Sequence, residues 1–119
     1  MHSGYRRGDI ILVDLEPVRG SEQGKVRPCI IVQNDIANKF SPVTNIIPVT
    51  DAKNVRKWYP CLVNLKKVET GLDKDSVAQC NQIRTIDAER RIIKQIGHIN
   101  KQKMKDINRA LKIQLALEY

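Results

Sequence analysis

Histidine is scarce in this chain: His2 and His98 are the only two among 119 residues. An acid/base histidine pair would require the first residues and a late β-type segment to converge, so we read His98 as a satisfied sheet residue and His2 as part of a frayed terminus. No HExxH, GxxxxGKS, GxGxxG or GxSxG occurs. Zincins, P-loop NTPases, dinucleotide folds and serine hydrolases therefore have no motif support. Three cysteines, Cys29, Cys61 and Cys80, are odd in number and never spaced as CxxC. Neither a disulfide framework nor a zinc site is indicated, and each thiol suits a small core position in a reducing cytoplasm. No apolar run approaches the roughly 18 residues of a membrane helix. The start, Met1-His2-Ser3-Gly4-Tyr5, lacks the hydrophobic stretch of a secretion signal. The expectation is a soluble, cytoplasmic protein with no membrane contact and no metal or other cofactor.

The chain does have enough apolar residues for a core, with 41% hydrophobic and 29% charged residues. Its length suits one domain, residues 1–119, because dividing it would leave two marginal cores. Lys and Arg number 21 against 13 Asp and Glu, a formal net charge of +8. A field of that sign attracts polyanions, which makes nucleic acid the leading class of partner; solubility alone is the competing explanation.

Along the chain, Asp9-Ile10-Ile11-Leu12-Val13-Asp14-Leu15 is β-branched and ends at Glu16-Pro17, as a buried strand would. From Pro17 to Lys25 the residues are polar, with Gly20 and Gly24 able to take positive φ, so an exposed and mobile loop is expected. Further strands are expected at Pro28–Gln33 and Val43–Thr50, with Pro48 at an edge or bulge. Asp51–Tyr59 reads as loop and Cys61–Leu65 as a fourth strand. Ser76–Cys80 and Gln82–Ile86 form two strands or one bulged strand, and Ile92–Ile99 is a last β segment. Helix is expected only at the end, where Asn100 is an acceptable N-cap and Met104, Ile107, Leu111 and Leu115 make one apolar stripe. Lys101, Lys103 and Lys105 crowd its first turns against the macrodipole, as a solvated face or as a phosphate contact.

The segment most suited to chemistry is the polar loop leading to Arg27-Pro28, where a rigid proline sets a guanidinium at a strand entrance beside Ser21, Glu22 and Gln23. Arginine carries five donors in a planar fork and suits bidentate phosphate binding, although a loop arginine taken alone is also ordinary surface solvation.

Four segments in order, Gly20-Ser21-Glu22-Gln23-Gly24-Lys25-Val26-Arg27-Pro28, Gln33-Asn34-Asp35, Ile47-Pro48-Val49-Thr50 and Gln82-Ile83-Arg84-Thr85-Ile86-Asp87, resemble the MazF/PemK toxins of bacterial toxin–antitoxin systems, nearest to the chromosomal MazF branch of Gram-positive bacteria. The likeness runs from about Tyr5 to Tyr119. It implies a mainly β fold with a C-terminal α-helix, a small SH3-like or CcdB-like barrel. It also implies a homodimer, an acidic MazE-like antitoxin as partner, and metal-independent, sequence-specific cleavage of single-stranded RNA, usually mRNA. In family terms the 2′-hydroxyl attacks the adjacent phosphorus and leaves a 2′,3′-cyclic phosphate and a free 5′-hydroxyl. Carried over by motif, Arg27 and Thr50 are the catalytic pair, and Ser21, Glu22, Gln23, Asn34 and Gln82 contact RNA.

Elementary chemistry agrees in part with that implication. The reaction needs an in-line 2′-oxygen, donors on the non-bridging oxygens and two proton transfers. Arg27 supplies charge and donors, and the stiff χ1 of Thr50 suits it to orientation and hydrogen bonding. An arginine pKa above 12 argues for electrostatic stabilisation by Arg27, with proton donation to the leaving oxygen as a second capacity, over a general-base role. Among the few aromatics Phe40, close to the Asn34 motif, is the base-stacking candidate, ahead of Trp58 and Tyr59. The chain departs from the Kid/PemK branch, which places a catalytic arginine and aspartate just before the QxRTID-like segment. Gln79 and Asn81 stand there instead, and Glu22 is the available carboxylate. Arg84 and Asp87 are read as structural. A CcdB-like toxin binding DNA gyrase and a non-catalytic nucleic-acid-binding module are the alternatives.

Overall fold

The run Ile10-Ile11-Leu12-Val13 does not alternate apolar with polar residues because the strand it forms is covered on both faces. In the computed structural model, which describes residues 4–117, Ile10 packs in one buried cluster while Ile11 and Val13 pack in another. His2 lies outside the described residues. The strands are β1 (Asp9–Asp14), β2 (Val26–Ile31), β3 (Val43–Asp51), β4 (Leu62–Leu65), β5 (Ser76–Gln79), β6 (Arg84–Asp87) and β7 (Ile92–His98). The helices are α1 (Asp35–Phe40), α2 (Lys67–Thr70), α3 (Ala88–Arg91) and α4 (Lys101–Gln114). All recorded strand pairs are antiparallel, in the order β4-β5-β3-β2-β1-β7, with β6 also alongside β3.

The sheet curls. One core holds Ile10, Ile30, Ile47 and Val49 against β4, β5 and the Ile107, Ala110 and Leu111 face of α4. The other holds Ile11, Val13, Cys29, Ile31 and Ile46, closed by Ile86 of β6 and Ile92 of β7. β6 and β7, which flank β3-β2-β1 on either side, thus both border the second core and are linked by the single turn of α3, which is the expected small barrel with a terminal helix. Each fully buried isoleucine contributes about 1.5–3 kcal/mol. Two-sided burial of β1, β2 and β3 makes them the stiffest part of the molecule.

Several local expectations are corrected. Helix is not confined to the end: Asn34 caps α1, its Oδ1 accepting from the Ala37 amide at 2.8 Å, and Asp87 caps α3, accepting from the Arg90 amide at 2.9 Å. Such short helices carry no periodicity to read; only their capping residues mark them. Of the two readings open for Ser76–Ile86, two strands is the one found: Ser76–Gln79 and Arg84–Asp87, separated by a 3-10 turn at Cys80–Gln82. Pro48 is neither on an edge nor in a bulge. It lies inside β3, in the gap between Ile46, the last partner of β6, and Val49, the first partner of β5. Gly20 takes a positive φ of 55° but Gly24 does not, and Lys25 adopts φ 67° instead. A Cβ at Gly24 would press on the Glu16 carboxylate and Val18, so both side chains would have to shift to admit it.

Asn100 caps α4 as expected, accepting from the Lys103 amide at 2.8 Å. Lys103 faces protein carboxylates, its Nζ lying 3.9 Å from both Glu69 and Asp106. These anions offset the dipole conflict, so the lysine does not need an external phosphate. No helix among the described residues is long and apolar enough to cross a membrane. His98 is satisfied within the sheet edge, its Nδ1 at 2.7 Å from Asp9 Oδ1.

All three cysteines are free and buried. Burial pushes the Cys29 thiol up to about 12 against the opposing pull of Arg27 and Arg84, and pushes Cys80 up to about 12 with help from Cys61. A folded-state value above the unfolded one means stability that is whole below about pH 9 and is lost as pH rises through the folded value. Native protein at pH 8 is expected to leave Cys29 and Cys80 unlabelled by a thiol reagent until denaturant is added, and its urea midpoint is expected to fall above pH 9. Rapid native labelling of either residue, read by mass spectrometry, would contradict their placement.

Candidate active site

Arg27 enters from β2 on the face that carries Cys29 and Ile31, where its cross-strand partner is Val13. Extending the β2–β3 register two residues beyond its last pair, Cys29 with Pro48, brings Arg27 level with Thr50. Alternation along β3 sends Val49 into the first core and Thr50 to the opposite face. Sequence positions 27 and 50, far apart along the chain, are thereby fixed on adjacent rigid strands.

The Arg27 guanidinium is half-buried and hydrogen-bonded at all three of its nitrogens. Its Nε donates to the Gly24 carbonyl at 2.7 Å and its Nη1 to the Val49 carbonyl at 3.4 Å. The hydrogen-bond network sets the Gln23 carboxamide with its oxygen toward Arg27, 3.0 Å from Nη1 and 2.6 Å from Nη2. The Gln23 nitrogen then donates to Gln79 Oε1 at 3.1 Å. Gln82 holds the same loop, its Oε1 accepting from the Gln23 amide at 3.1 Å and its Nε2 donating to the Ser21 carbonyl at 3.2 Å. Burial lowers the Arg27 pKa from its ordinary value, with the nearby Cys29 acting in the other direction. Arg84 sits close enough to influence the same thiol and donates to the Leu15 carbonyl at 3.0 Å, while Arg91 donates to the Asp14 and Glu16 carbonyls at 3.1 and 2.7 Å. Two arginines therefore anchor the start of the loop and a third lies under its end.

Thr50 is buried, and Asn54 Nδ2 donates to its Oγ1 at 3.3 Å. Arg27 and Thr50 line one open groove of about 500 Å³, together with Pro28, Val49, Asp51 and Lys74. The arrangement offers a planar cationic fork and a held hydroxyl at the edge of one cleft, a combination suited to a phosphodiester.

The other expected site residues divide into two sets. Gln23, Ser21 and Gln82 gather around Arg27 from the loop side. Glu22 is exposed and its Oε1 accepts from the Arg19 amide at 2.7 Å, which closes the loop on itself. Asn34 and Phe40 lie outside the groove, the first as the cap of α1 and the second 68% exposed beside Lys39, whose Nζ is 5.5 Å from the ring centre. Trp58 and Tyr59 are exposed, and Trp58 lines a separate groove against α4. Asn54 and the relay through Gln79 were not anticipated. Asn54 ends a 3-10 turn, Ala52–Asn54, in a stretch that carries no sequence pattern, and Gln79 stands out in the sequence only as a departure from the Kid/PemK branch.

Residues 6–115 match the family model described as PemK-like, MazF-like toxin of type II toxin-antitoxin system. The chain is 45% identical over 112 residues to Endoribonuclease MazF of Staphylococcus saprophyticus subsp. saprophyticus, covering 94% of this chain and 92% of that one. It is 46% identical over 112 residues to the Staphylococcus epidermidis protein of the same name, with the same coverage. Among solved structures, it superposes on MazF from Deinococcus radiodurans with a TM-score of 0.77 at 22% identity, over 94% of this chain and 96% of that one. A mycobacterial endoribonuclease solved in complex with its cognate antitoxin gives 0.76 at 20% identity, over 98% and 99%. At such identities the structural likeness establishes the fold.

The tether predicts its own release. Gln79→Leu removes the acceptor for Gln23, and loss of a hydrogen bond worth about 1 kcal/mol corresponds to roughly a fivefold rise in loop opening. Tryptic cleavage after Arg19 or Lys25 in the folded protein should accelerate by about that factor. An unchanged cleavage rate would contradict the tether.

Proposed function

This chain belongs to the PemK-like, MazF-like toxins of type II toxin–antitoxin systems and is an endoribonuclease, and from that premise we propose that it cuts single-stranded mRNA at defined sequences without a metal. The 2′-hydroxyl gives its proton to solvent water as its oxygen attacks the adjacent phosphorus, the bond from phosphorus to the 5′-oxygen breaks as that oxygen takes up a proton, and the products carry a 2′,3′-cyclic phosphate and a 5′-hydroxyl. The single observation that supports this reading most is that the Arg27 fork and Thr50, on neighbouring strands, line one open groove.

In this reading a non-bridging phosphate oxygen takes the place of the Gln23 carboxamide oxygen on Nη1 and Nη2. The exchange substitutes a charged acceptor for a neutral one and strengthens both bonds. Charge that builds on the phosphoryl oxygens in the transition state is met by donors already in position. Burial beside the core lowers the Arg27 pKa, which favours a proton passing from the guanidinium to the leaving 5′-oxygen. Thr50, fixed by Asn54, donates its hydroxyl hydrogen to the same phosphate and sets its orientation. Ser21, Glu22, Gln23 and Gln82 supply contacts to the flanking nucleotides once the loop has shifted; Asn34 and Phe40 bind RNA farther along the surface.

The formal charge of +8 suits both RNA and the acidic antitoxin expected to compete with it. A homodimer would cover the apolar end of α4, where Ile113, Leu115 and Leu117 are each about half exposed. The resemblance to proteins named endoribonuclease over nearly the whole chain favours RNA cleavage above gyrase binding.

Purified protein incubated with long single-stranded RNA in EDTA is expected to produce 5′-hydroxyl and cyclic-phosphate ends. Arg27→Ala should slow cleavage by about 10²–10³-fold, Arg27→Lys should fail to rescue it because one ammonium cannot replace the fork, and Thr50→Val should cost about tenfold or more. Intact RNA with the wild-type protein, or wild-type rates in Arg27→Ala, would overturn the proposal.

A further inference from the structure

The groove that contains Arg27 and Thr50 extends well beyond them. Its floor includes Val26 and Ile96, which are 51% and 38% exposed, so apolar surface lies open directly beside a phosphate-binding fork. At about 500 Å³ the groove falls within the roughly 300–1,000 Å³ typical of sites for small organic groups. A nucleotide joined to the scissile phosphate carries a flat apolar face that suits this floor and a polar edge that must meet the wall.

The wall on that side is Asp51, the residue after Thr50, paired with Lys74. Asp51 Oδ1 accepts from the Lys53 amide at 3.0 Å, and Oδ2 lies 3.4 Å from Lys74 Nζ. The Lys53 amide, aided by Lys74, holds the Asp51 carboxyl below its ordinary value, so it remains an acceptor at neutral pH. The Lys74 side chain is 68% exposed. The wall thus combines a fixed acceptor with an exposed donor. Adenine, cytosine and guanine each present an exocyclic amino donor that such a carboxylate can receive. Uracil has no exocyclic amino group, and a carboxylate oxygen that accepts from its N3–H brings a flanking carbonyl toward the second carboxylate oxygen.

We infer that the Asp51–Lys74 pair reads the edge of a base beside the scissile phosphate and selects an amino-bearing base over uracil. The inference rests on the nuclease reading of Arg27 and Thr50 and assigns the specificity-determining wall of that same groove.

The test uses the full chain and an RNA library randomised around a central region, cut in EDTA and mapped by sequencing the new 5′ ends. Each variant's profile is normalised to its own best sequence. Wild-type protein should disfavour uracil by about tenfold at one position within two nucleotides of the cut. Asp51→Asn keeps an oxygen for the Lys53 amide but turns the other arm into a donor, so uracil should become accepted at that position alone. Lys74→Met, on an exposed side chain outside the core, should shift the uracil ratio at the same position. A wild-type enzyme that cuts yet tolerates uracil everywhere, or variants that cut with the wild-type profile, would overturn this inference and leave the nuclease reading standing. Uncut RNA with the wild-type protein would overturn both.

Discussion

A guanidinium held half out of water at the rim of a hydrophobic core is the constraint around which this molecule is arranged. Arg27 shares its face of β2 with Cys29 and Ile31, and its donors must be satisfied there. The solution is local and economical: the Gly24 carbonyl, the Val49 carbonyl and the Gln23 carboxamide surround it. That accounts for the tight chain path between β1 and β2. Gly24 leaves room for the Glu16 carboxylate and Val18, Lys25 turns through positive φ, and Gln79 and Gln82 grip the loop from the far side. A ligand that reaches Arg27 must offer at least what Gln23 offers. A phosphate does so with a full charge; a neutral group does not.

The double burial of the central strands gives this arrangement its rigidity. Because β1, β2 and β3 carry isoleucines on both faces, the backbone positions of Arg27 and Thr50 are coupled to two cores at once. β3 changes partners from β6 to β5 across Pro48, just before Thr50. The missing N–H of proline falls where the ladder is interrupted, so the chain can pass from one part of the sheet to the other beside the site. The catalytic candidates lie on strands, while the groups that contact them first, Gln23 and Asn54, come from loops. Stiff supports with adjustable covers are what a site needs when it must bind a long polymer and then release its two halves.

Different parts of the structure were legible in the sequence for different physical reasons. The β segments and α4 were legible, with only the choice between one strand and two at Ser76–Ile86 left open, because burial imposes apolar patterns on a strand or a stripe, and Asn100 was legible as a cap because few side chains can fill that position. The helices α1, α2 and α3 were not, since one turn of helix is too short to show a period. Charge at the start of α4 suggested a solvated face or a phosphate contact; Lys101 and Lys105 are exposed, and Glu69, remote in sequence, supplies an anion to Lys103. Within the site, the motif segments pointed to Arg27, Thr50, Gln23 and Gln82, and all four belong to one neighbourhood. Asn34 carried the same kind of signal, and its oxygen is used to start a helix. A polar side chain in a motif does not by itself reveal whether its hydrogen bonds are turned inward or outward.

The sequence by itself determined the class of fold and the excess of positive charge, because these follow from patterns local to a few residues or from simple sums, whereas only the resemblance of their motif segments to a known family joined Arg27 to Thr50. Tertiary structure alone decided that Arg27 is capped by Gln23, that Gln79 holds Gln23 in place and that Asp51 and Lys74 wall the same groove. Those relations depend on distances between segments brought together by strand register and by the packing of two cores. Register is a collective property, set when apolar faces across several strands are buried at once, and no single stretch of residues contains it.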